Sequence, residues 1–290
     1  MAAGDTTTQS LADSLPTVIA SARQIREQEG VVPNLVDKVT LGEGTGVSWN
    51  EVSMAQLTAQ TVTETTRLDN PQQMSDTLLT ITPTVVGIHT LITDRVAARI
   101  SKNAYAKVGS LAQNAIQRKK DEDGLTAIDG ASLTIGSSGS ALTTGMIAAA
   151  VSRISSDADE PGNPPYRAVL HGFQIKDLYD AVASIGSGNP PTGTGYTDGL
   201  SARVFQEGFR GRIHNCEIYE DGNIDASSNA AKGGIFAQEA LILVQGRSPR
   251  TETRREPHIG GGSTSVFLYD EYAYGERSAG NWLFEVETDA

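Results

Sequence analysis

Residues 42–88 constrain the fold more than any other stretch, because they predict a long β ribbon with no obvious partner in the same chain. Apolar residues alternate on both sides of the polar segment RLDNPQQMSD, with the spacings Ala55/Leu57/Ala59 and Leu79/Ile81/Pro83/Val85. A period of two is typical of strands, and the polar segment is typical of a turn region. Pro83 removes a ladder donor, which places its strand at a sheet edge or beside a break in pairing. Because exposed edges recruit partners, the ribbon is a first indication of assembly.

A long helix is predicted directly after the ribbon, from Leu91 to about Lys120. Apolar side chains recur there every three or four residues, at Ile92, Val96, Ile100, Ala104, Val108, Leu111 and Ala115. This period corresponds to about eight helical turns. The segment RKKDEDG is expected to end the helix, with Gly124 permitting the stop.

An α/β unit is predicted in the middle of the chain. Residues 142–156 form an amphipathic helix capped by Thr143 or Thr144, with Met146, Ala150 and Ile154 on one face. A strand over residues 167–170 and a helix from residue 172 to about 184 follow. The core-facing residues expected on the second helix are Phe173, Leu178 and Val182.

Short strands are predicted at about 209–220 and 233–245, and antiparallel strands are predicted in the C-terminal tail. The polar loops GSGNPPTGTGYTDG and EDGNIDASSNAAKG separate the elements of this half. Together with the preceding helices, these strands indicate an α+β fold.

The charge is strongly acidic but unevenly distributed. Lys and Arg number 23 against 35 Asp and Glu, a net charge of −12, which argues against a dedicated nucleic-acid binder. Residues 89–120 are an exception, with seven bases against the single acid Asp94, or +6. Within them Arg95, Arg99 and Lys102 are spaced to share a helical face. Two interpretations stay open: a solvated face, or weak contact with a polyanion that is independent of base sequence.

Cysteine usage and the N-terminus fit a cytosolic origin. Cys216 is the only cysteine, which excludes an internal disulfide and a zinc site built from several thiolates. The first twenty residues lack the basic flank and the apolar stretch of a signal peptide. No stretch approaches the roughly 20 apolar residues of a membrane span, so no membrane association is expected.

No motif in the sequence predicts catalysis, a cofactor or a metal. GEGTG and GTGYTDG resemble phosphate-binding loops only weakly, because neither has a clear strand before it and a helix after it. Asp221, Asn223 and Asp225 have the alternate spacing that opens a calcium loop, but the glycine and the closing glutamate are missing. We therefore interpret this segment as a polar surface turn.

Four histidines are far apart in the sequence, at positions 89, 171, 214 and 258, and none has a metal-ligand neighbour at short spacing. His171 follows an apolar run, as a catalytic residue at the carboxyl end of a strand would. A catalytic role requires a carboxylate or nucleophile partner and a crevice, and the sequence identifies neither. A structural or surface role is favoured for each histidine.

Taken in order, these elements resemble the major capsid proteins of tailed bacteriophages, which share the Hong Kong 97 fold. The resemblance rests on the ribbon 42–88, the helix 91–120, the unit LTTGMIAAAVSRIS…PPYRAVLHGFQIKDLYDAV, the strands GRIHNCEIYEDGNI…KGGIFAQEALILVQG and the tail TETRREPHIGGGSTSVFLYDEYAYGERSAGNWLFEV. The succession and lengths of the elements carry it, rather than any single motif, and it covers nearly the whole chain.

The resemblance implies four regions. They are an N-terminal arm (1–41), an extended loop (42–88), a peripheral domain with the long helix as its spine (89–139 and 246–290), and an axial domain (140–245). It further implies that Trp49, Met54, Leu57 and Arg67 of the extended loop contact a neighbouring subunit. Tyr196, Asp221 and Asn223 would lie in axial-domain loops near the symmetry axes, and Arg95, Arg99 and Lys102 are candidates to face DNA.

The implied function is structural. A protein of this family catalyses nothing and self-assembles into hexamers and pentamers of an icosahedral shell around packaged double-stranded DNA. Its implied partners are its own copies, a portal, and separate scaffolding or decoration proteins, with only weak nonspecific contact to the DNA. The implied location is the virion capsid, assembled in the cytoplasm of the host bacterium.

Some relatives cross-link their shells through a lysine of the extended loop. This sequence has no lysine between Leu41 and Arg99, so we expect a non-covalent shell. Some relatives also carry a scaffolding segment before the arm. The ribbon here starts near residue 42, so any scaffold is expected to be a separate protein.

Two rival functions stay open. An encapsulin would use the same fold to hold cargo enzymes instead of DNA, although the long, Thr-rich extended loop favours a viral shell. A cytosolic α/β enzyme using His171 predicts a small soluble oligomer with a ligand pocket, and the absence of a recognisable second catalytic group counts against it.

Overall fold

A computed structural model describes residues 30–44, 46–67, 69, 71–99, 104–187, 211–226, 230–259 and 261–289. The helices are α1 (Val32–Leu35), α2 (Asp94–Arg99), α3 (Ala104–Asp129), α4 (Thr144–Ser155) and α5 (Gly172–Ser187). The first six strands are β1 (Asp37–Thr40), β2 (Trp49–Met54), β3 (Asp76–Ile81), β4 (Thr84–Thr93), β5 (Leu133–Gly136) and β6 (Tyr166–Leu170). The others are β7 (Arg212–Ile213), β8 (Cys216–Glu220), β9 (Ala231–Ala237), β10 (Leu241–Glu256), β11 (Ser263–Glu276) and β12 (Leu283–Thr288).

The described residues fall into two compact units. The smaller unit contains residues 85–99, 104–119, 248–259 and 261–271, and the larger unit contains the rest. Strands β10 and β11 and helix α3 contribute residues to both units. The division into arm, extended loop, peripheral domain and axial domain stays a prediction.

A mixed six-stranded sheet forms the core of the larger unit, with strand order β5-β12-β9-β6-β8-β7. Strand β9 is antiparallel to β12 and β6, whereas β6 and β8 are parallel. Four of the five residues of β6 are buried, the pattern expected of a strand covered on both faces. The predicted strand at residues 167–170 is therefore confirmed as a central strand of this sheet.

Helix α4 agrees closely with its prediction. Thr143 is its N-cap, and the hydroxyl oxygen accepts a hydrogen bond from the amide of Met146 at 3.4 Å. The buried side chains are Ile147, Ala150, Val151 and Ile154. Met146 is only partly buried, so the apolar face is rotated slightly from the predicted one.

Helix α5 agrees with its prediction at Leu178 but not at Phe173, while the side chain of Val182 falls outside the described part of the structure. Leu178 is fully buried, but Phe173 is 52% exposed, so its assignment to the core was wrong. Gln174 takes the core position instead: its amide nitrogen donates to the carbonyl oxygens of Ala231 and Val286 and to the hydroxyl of Thr288, at 3.0, 3.1 and 2.8 Å. Its amide oxygen accepts from the backbone nitrogen of His171 at 3.0 Å. A glutamine is buried here because all its polar atoms are satisfied.

The long helix differs from its prediction at both ends. Residues 91–93 belong to β4, helix α2 follows at Asp94, and α3 continues past Lys120 to Asp129. Gly124 does not end the helix; it makes room for other elements, since a Cβ atom there would lie 2.6 Å from Cγ1 of Val32 and 3.1 Å from the Tyr274 ring. The helix ends at the next glycine, Gly130, whose amide donates to the carbonyl of Thr126 at 3.1 Å.

A second sheet has the strand order β1-β10-β11-β4. Strand β1 is parallel to β10, with Asp37 opposite Ile242 and Thr40 opposite Gln245. The predicted tail strands are present, but they divide between the sheets: β10 and β11 lie here, and β12 lies in the six-stranded sheet. Among the described helices, none combines the length and apolar character needed to cross a bilayer.

Candidate assembly surface

The predicted ribbon is an antiparallel pair of strands, β2 and β3, that forms a sheet of its own. Trp49 lies opposite Ile81, Val52 opposite Leu78, and Met54 opposite Asp76. One further backbone hydrogen bond, from Ala55 to the carbonyl of Ser75 at 2.9 Å, extends the pairing. Pro83 lies between the end of β3 and the start of β4, at the break in pairing that its missing donor predicts.

The inner face of the ribbon is covered at its base. Ile81 is 5% exposed and packs with the buried Ile242 and Val244, and the half-buried Trp49 and Leu79 pack against this cluster. A Cβ atom at Gly275 would lie 2.6 Å from Cγ1 of Ile81, so the glycine lets the ribbon approach β11 closely. The base of the ribbon is therefore part of the core of the larger unit.

Arg277 also holds the base of the ribbon in place, through ion pairs with two carboxylates. Its Nε donates to Oε2 of Glu51 at 2.7 Å, its Nη1 donates to Oδ2 of Asp37 at 2.8 Å, and the guanidinium lies 5.7 Å from the centre of the Trp49 ring. Burial alone would lower the pKa of Arg277, but the hydrogen bonds to the two carboxylates outweigh it and raise that pKa. The arginine thus connects β1, β2 and the segment after β11.

The outer face of the ribbon exposes three large apolar side chains beside the polar Asn50, Thr80 and Asp76. Because side chains alternate along a strand, Val52, Met54 and Leu78 share the face opposite to Trp49 and Ile81. They are 52%, 69% and 61% exposed. Contiguous apolar surface of this kind is a mark of an interaction site in a soluble protein. We call Val52, Met54 and Leu78 the outer patch.

The segment between the two strands adds more exposed apolar side chains. Leu57, Val62 and Met74 are each more than half exposed, and Arg67 is also exposed. The side-chain amide of Gln56 donates to the backbone carbonyl of Asp159, and the backbone amide of Thr58 donates to Oε1 of Gln72 at 2.9 Å. Of the predicted contact residues, Met54, Leu57 and Arg67 are thus exposed, whereas Trp49 packs at the base of the ribbon.

The predicted basic stripe is described only in part. Arg95 lies exposed in α2, and Arg99 ends that helix, while Lys102 falls outside the described residues. The structure shows a further row of exposed arginines on β10 that our sequence analysis did not identify: Arg247, Arg250, Arg254 and Arg255. The sequence predicts only an antiparallel strand for RTETRRE, and the glutamates between the arginines hide the excess of positive charge.

Acidic neighbours neutralise much of that row. Arg254 pairs with Glu256 at 3.0 Å, and Arg250 pairs with Glu252 at 3.3 Å. Arg255 binds Asp94, and this hydrogen bond lowers the pKa of the Asp94 carboxyl. The arginines of β10 therefore present less free positive charge than their number suggests.

The segment around Asp221 is not the polar surface turn that the sequence predicts. Asp221 is buried, and its carboxylate accepts from the backbone amide of Asn223 at 2.9 Å. The Asn223 side chain donates to Oδ2 of Asp121 at 2.9 Å. Both side chains therefore bind within their own subunit. Tyr196 lies outside the described residues, so the axial-loop assignment of these three residues stays a prediction.

The structure gives His171 no catalytic partner among the described residues. It stands between β6 and α5, as predicted, and its Nδ1 accepts from the backbone amide of Phe173 at 3.3 Å. Its ring packs at 5.0 Å from the Phe173 ring. The others are also separate: His89 stacks on Phe267, His214 is in the turn between β7 and β8, and His258 lies 3.5 Å from Glu256.

Comparison with known proteins shows similarity at the level of structure. No family model matches the chain, and no curated protein matches its sequence. The solved capsid of cyanophage Pam1 has a chain with a TM-score of 0.71 at 12% identity, and the match covers 100% of our chain and 99% of that one.

Two further structures agree with it. A capsid chain of cyanophage P-SCSP1u has a TM-score of 0.68 at 12% identity, with 99% of our chain and 96% of that chain covered. A structure of Mycobacterium phage Che8 has a TM-score of 0.70 at 15% identity, with coverage of 91% and 93%. At these identities the similarity concerns the fold, and it extends over nearly the full length of both chains. The chain therefore has the fold of tailed-phage capsid proteins, as the order of its sequence elements predicts.

Proposed function

We propose that this chain is a major capsid protein that self-assembles into hexamers and pentamers of an icosahedral shell around double-stranded DNA. The observation that carries the proposal is the end-to-end match with capsid chains, which includes the ribbon as well as the core. A chain that functions as a monomer would gain nothing from a ribbon that exposes large apolar side chains.

The ribbon supports self-association on physical grounds. Its base is packed and ion-paired, so it projects in a defined direction, while the outer patch leaves three large apolar side chains in water. Because 52–69% of each of these side chains is exposed, burying the rest against a second copy is worth about 1–2 kcal/mol per side chain. Closed symmetric assembly repeats that contact once per subunit, so a modest gain becomes a stable shell.

Electron microscopy of the purified full-length protein tests the proposal. Under assembly-permissive conditions we expect closed shells tens of nanometres across, together with free capsomers in size-exclusion chromatography. A compact monomer or dimer under all such conditions would contradict the proposal. Shells that enclose a cargo protein and no nucleic acid on expression in cells would instead indicate an encapsulin.

A matched pair of variants at one position tests the outer patch. Leu78→Asp places a charge on the apolar face and is expected to abolish shells, while the far-ultraviolet circular dichroism of the subunit stays unchanged. Leu78→Met keeps the apolar volume and is expected to assemble like the wild type. Normal shells from Leu78→Asp would show that this face contacts no neighbouring subunit.

The shell is proposed to be non-covalent, since residues 42–98 contain no lysine. Boiled shells should therefore run as a single band near 30.6 kDa in denaturing electrophoresis. A ladder of multiples of that mass would overturn this part of the proposal.

Contact with packaged DNA is proposed to be weak and independent of sequence. The net charge of −12 opposes DNA binding overall, and the exposed Arg95 lies in the segment with an excess of bases. Such contacts weaken steeply with salt because counterions are released on binding. Portal, scaffolding or decoration proteins are proposed as separate partners, with assembly in the cytoplasm of a bacterial host.

A further inference from the structure

Two buried carboxyl groups meet at the start of α1, in the larger unit. Asp121 on α3 is 0% exposed, and Asp221 after β8 is 1% exposed. Among the residues that the structure describes, neither carboxyl forms an ion pair. Burying a charge without a counterion is costly, so a buried carboxyl pair calls for an explanation.

Both carboxyl groups bind the same short piece of backbone. The amide of Val32 donates to Oδ1 of Asp121 at 3.0 Å, and the amide of Val31 donates to Oδ2 of Asp221 at 3.4 Å. Asn223 bridges the pair from the other side, with its backbone amide on Asp221 and its side-chain amide on Asp121, both at 2.9 Å. Two consecutive backbone amides are thus divided between two carboxyl groups.

The two carboxyl groups act as acceptors for the backbone amides at the start of α1. Val31 is the N-cap residue of α1 and supplies no side-chain cap, and Pro33 follows within the first turn. The free amides at a helix N-terminus need an acceptor, which the two carboxyl groups provide. Val32 and Leu35 are buried, so the hydrogen bonds and the apolar contacts hold the same segment in place.

The environment favours a proton on the pair. Burial is the main cause that raises the pKa of Asp121, to about 7, and the negative charge of Asp221 adds to it, while the hydrogen bonds from Asn223 and Val32 act in the opposite direction. The two carboxyl groups bind the same asparagine and two consecutive amides, and neighbouring carboxyl groups repel when both are ionised, whereas a shared proton removes the repulsion.

The elements around the two carboxyl groups carry several other titratable groups. Residues 30–36 contain no titratable side chain. On β11 the hydroxyl of Tyr272 donates to Asp123 at 2.8 Å, and its ring lies 4.8 Å from Nζ of Lys120. Further titratable groups near the pair in the sequence are Arg118, Lys119 and Glu122 on α3 and Glu220 and Asp225 beside Asp221, and the buried hydroxyl of Tyr274 is on β11.

We propose that Asp121 and Asp221 share one proton and act as a proton-dependent clasp, which fastens residues 30–36 to the body of the subunit more tightly in acid than at neutral pH. The clasp consists of the two carboxyl groups, Asn223 and the amides of Val31 and Val32. It operates within one subunit and therefore does not depend on assembly.

The direction of the pH effect follows from linkage. With the segment docked the pair holds its proton up to about pH 7, whereas after opening the carboxyl titrates near its ordinary pKa of about 3.9. The contribution to docking is therefore complete below about pH 4 and is lost as the pH rises to about 7. Between about pH 4 and pH 7 the equilibrium constant for opening rises about tenfold per pH unit, and above that range it levels off.

Hydrogen exchange of the full-length protein measures this opening directly. Exchange of a peptide that covers residues 30–36 is followed between about pH 5 and pH 8.5, and the rates are converted to protection factors to remove the intrinsic effect of pH. We expect protection to fall about tenfold per unit up to about pH 6.5 and to change less than about threefold above pH 7.5. Constant protection between pH 5 and pH 7 would overturn the proposal.

Three variants assign the effect to the pair. Asp121→Asn removes the titrating group and is expected to hold the wild-type acid level of protection at every pH. Asp221→Asn removes only the like charge, so the fall in protection should level off at a lower pH than in the wild type, and this variant decides the question if the first does not fold. Asp225→Asn removes an exposed charge from the same loop and should keep the wild-type profile. A wild-type pH profile in Asp121→Asn or Asp221→Asn would refute the clasp.

Discussion

The six-stranded sheet and the ribbon use similar strand residues for opposite purposes. In the sheet, β6 and β9 bury nearly every side chain between neighbouring elements, so apolar residues stabilise the subunit. In the ribbon, one face of β2 and β3 is covered at its base, and Val52, Met54 and Leu78 on the other face are more than half exposed. The comparison teaches that apolar content alone does not distinguish a core strand from an assembly strand; coverage by its own chain does.

The base of the ribbon is the boundary between these two regions. Ile81 belongs to the core, and Arg277 joins the ribbon to β1 and to the body of the larger unit. Substitutions should therefore lower the free energy of unfolding most in the six-stranded sheet, less at the base of the ribbon and least in the outer patch. Their effect on assembly should follow the opposite order.

The largest effect on stability is expected in the sheet, at Gln174. Gln174→Leu keeps the volume but leaves two backbone carbonyls, the Thr288 hydroxyl and the His171 amide without their partner. We expect the free energy of unfolding to fall by about 4 kcal/mol, measured by urea denaturation of the unassembled subunit. The matched control is Lys176→Leu on the exposed face of the same helix, which should change it by less than about 0.5 kcal/mol.

An intermediate effect is expected at the base. Arg277→Ala removes both ion pairs and the contact with the Trp49 ring, and we expect a loss of about 1–2 kcal/mol, because Asp37 and Glu51 are partly solvated. Electron microscopy should also show irregular or incomplete shells, since the ribbon loses its fixed direction. Arg277→Lys restores the charge but cannot bond both carboxylates in the same geometry, so it should recover only part of either property. Wild-type shells from Arg277→Ala would show that the base of the ribbon does not affect assembly.

The smallest effect on the subunit is expected in the outer patch. Val52→Thr preserves the shape of the side chain, and because Val52 is exposed the free energy of unfolding should change by less than about 0.5 kcal/mol. The critical concentration for assembly, measured by light scattering, should nevertheless rise about fivefold, because a hydroxyl would be buried at each contact. Ser53→Ala on the inner face is the control and should leave the critical concentration unchanged. If Val52→Thr had the same critical concentration as the wild type, Val52 would lie outside the contact between subunits.

Much of the fold was predictable because it depends on local periodicity. The ribbon, helix α4 with its Thr143 cap and the strand before His171 are set by alternation, by a 3.6-residue period and by a capping residue close in sequence. The end of the long helix was not predictable in this way. Gly124 and Gly130 look equivalent in the sequence, which does not show that the first glycine makes room for Val32 and Tyr274 and that only the second ends the helix.

Buried polar residues account for the remaining errors. Gln174 displaced Phe173 from the core because its partners lie in β9 and β12, 57 and 112 residues away. Asp221 was predicted to be exposed because its partner Asp121 is a hundred residues distant in the chain. A polar side chain is buried when distant partners satisfy it, and a single sequence does not reveal such pairings.

The placement of Arg277 also has a consequence for the timing of synthesis. Glu51 and Arg277 are 226 residues apart, and β1 pairs with a strand that begins at Leu241. At about 5–20 residues per second, a ribosome releases the ribbon roughly 10–45 s before the residues that anchor it. A nascent chain therefore carries an unanchored ribbon until Arg277 has been synthesised, and only then can the two ion pairs hold the base of the ribbon in place.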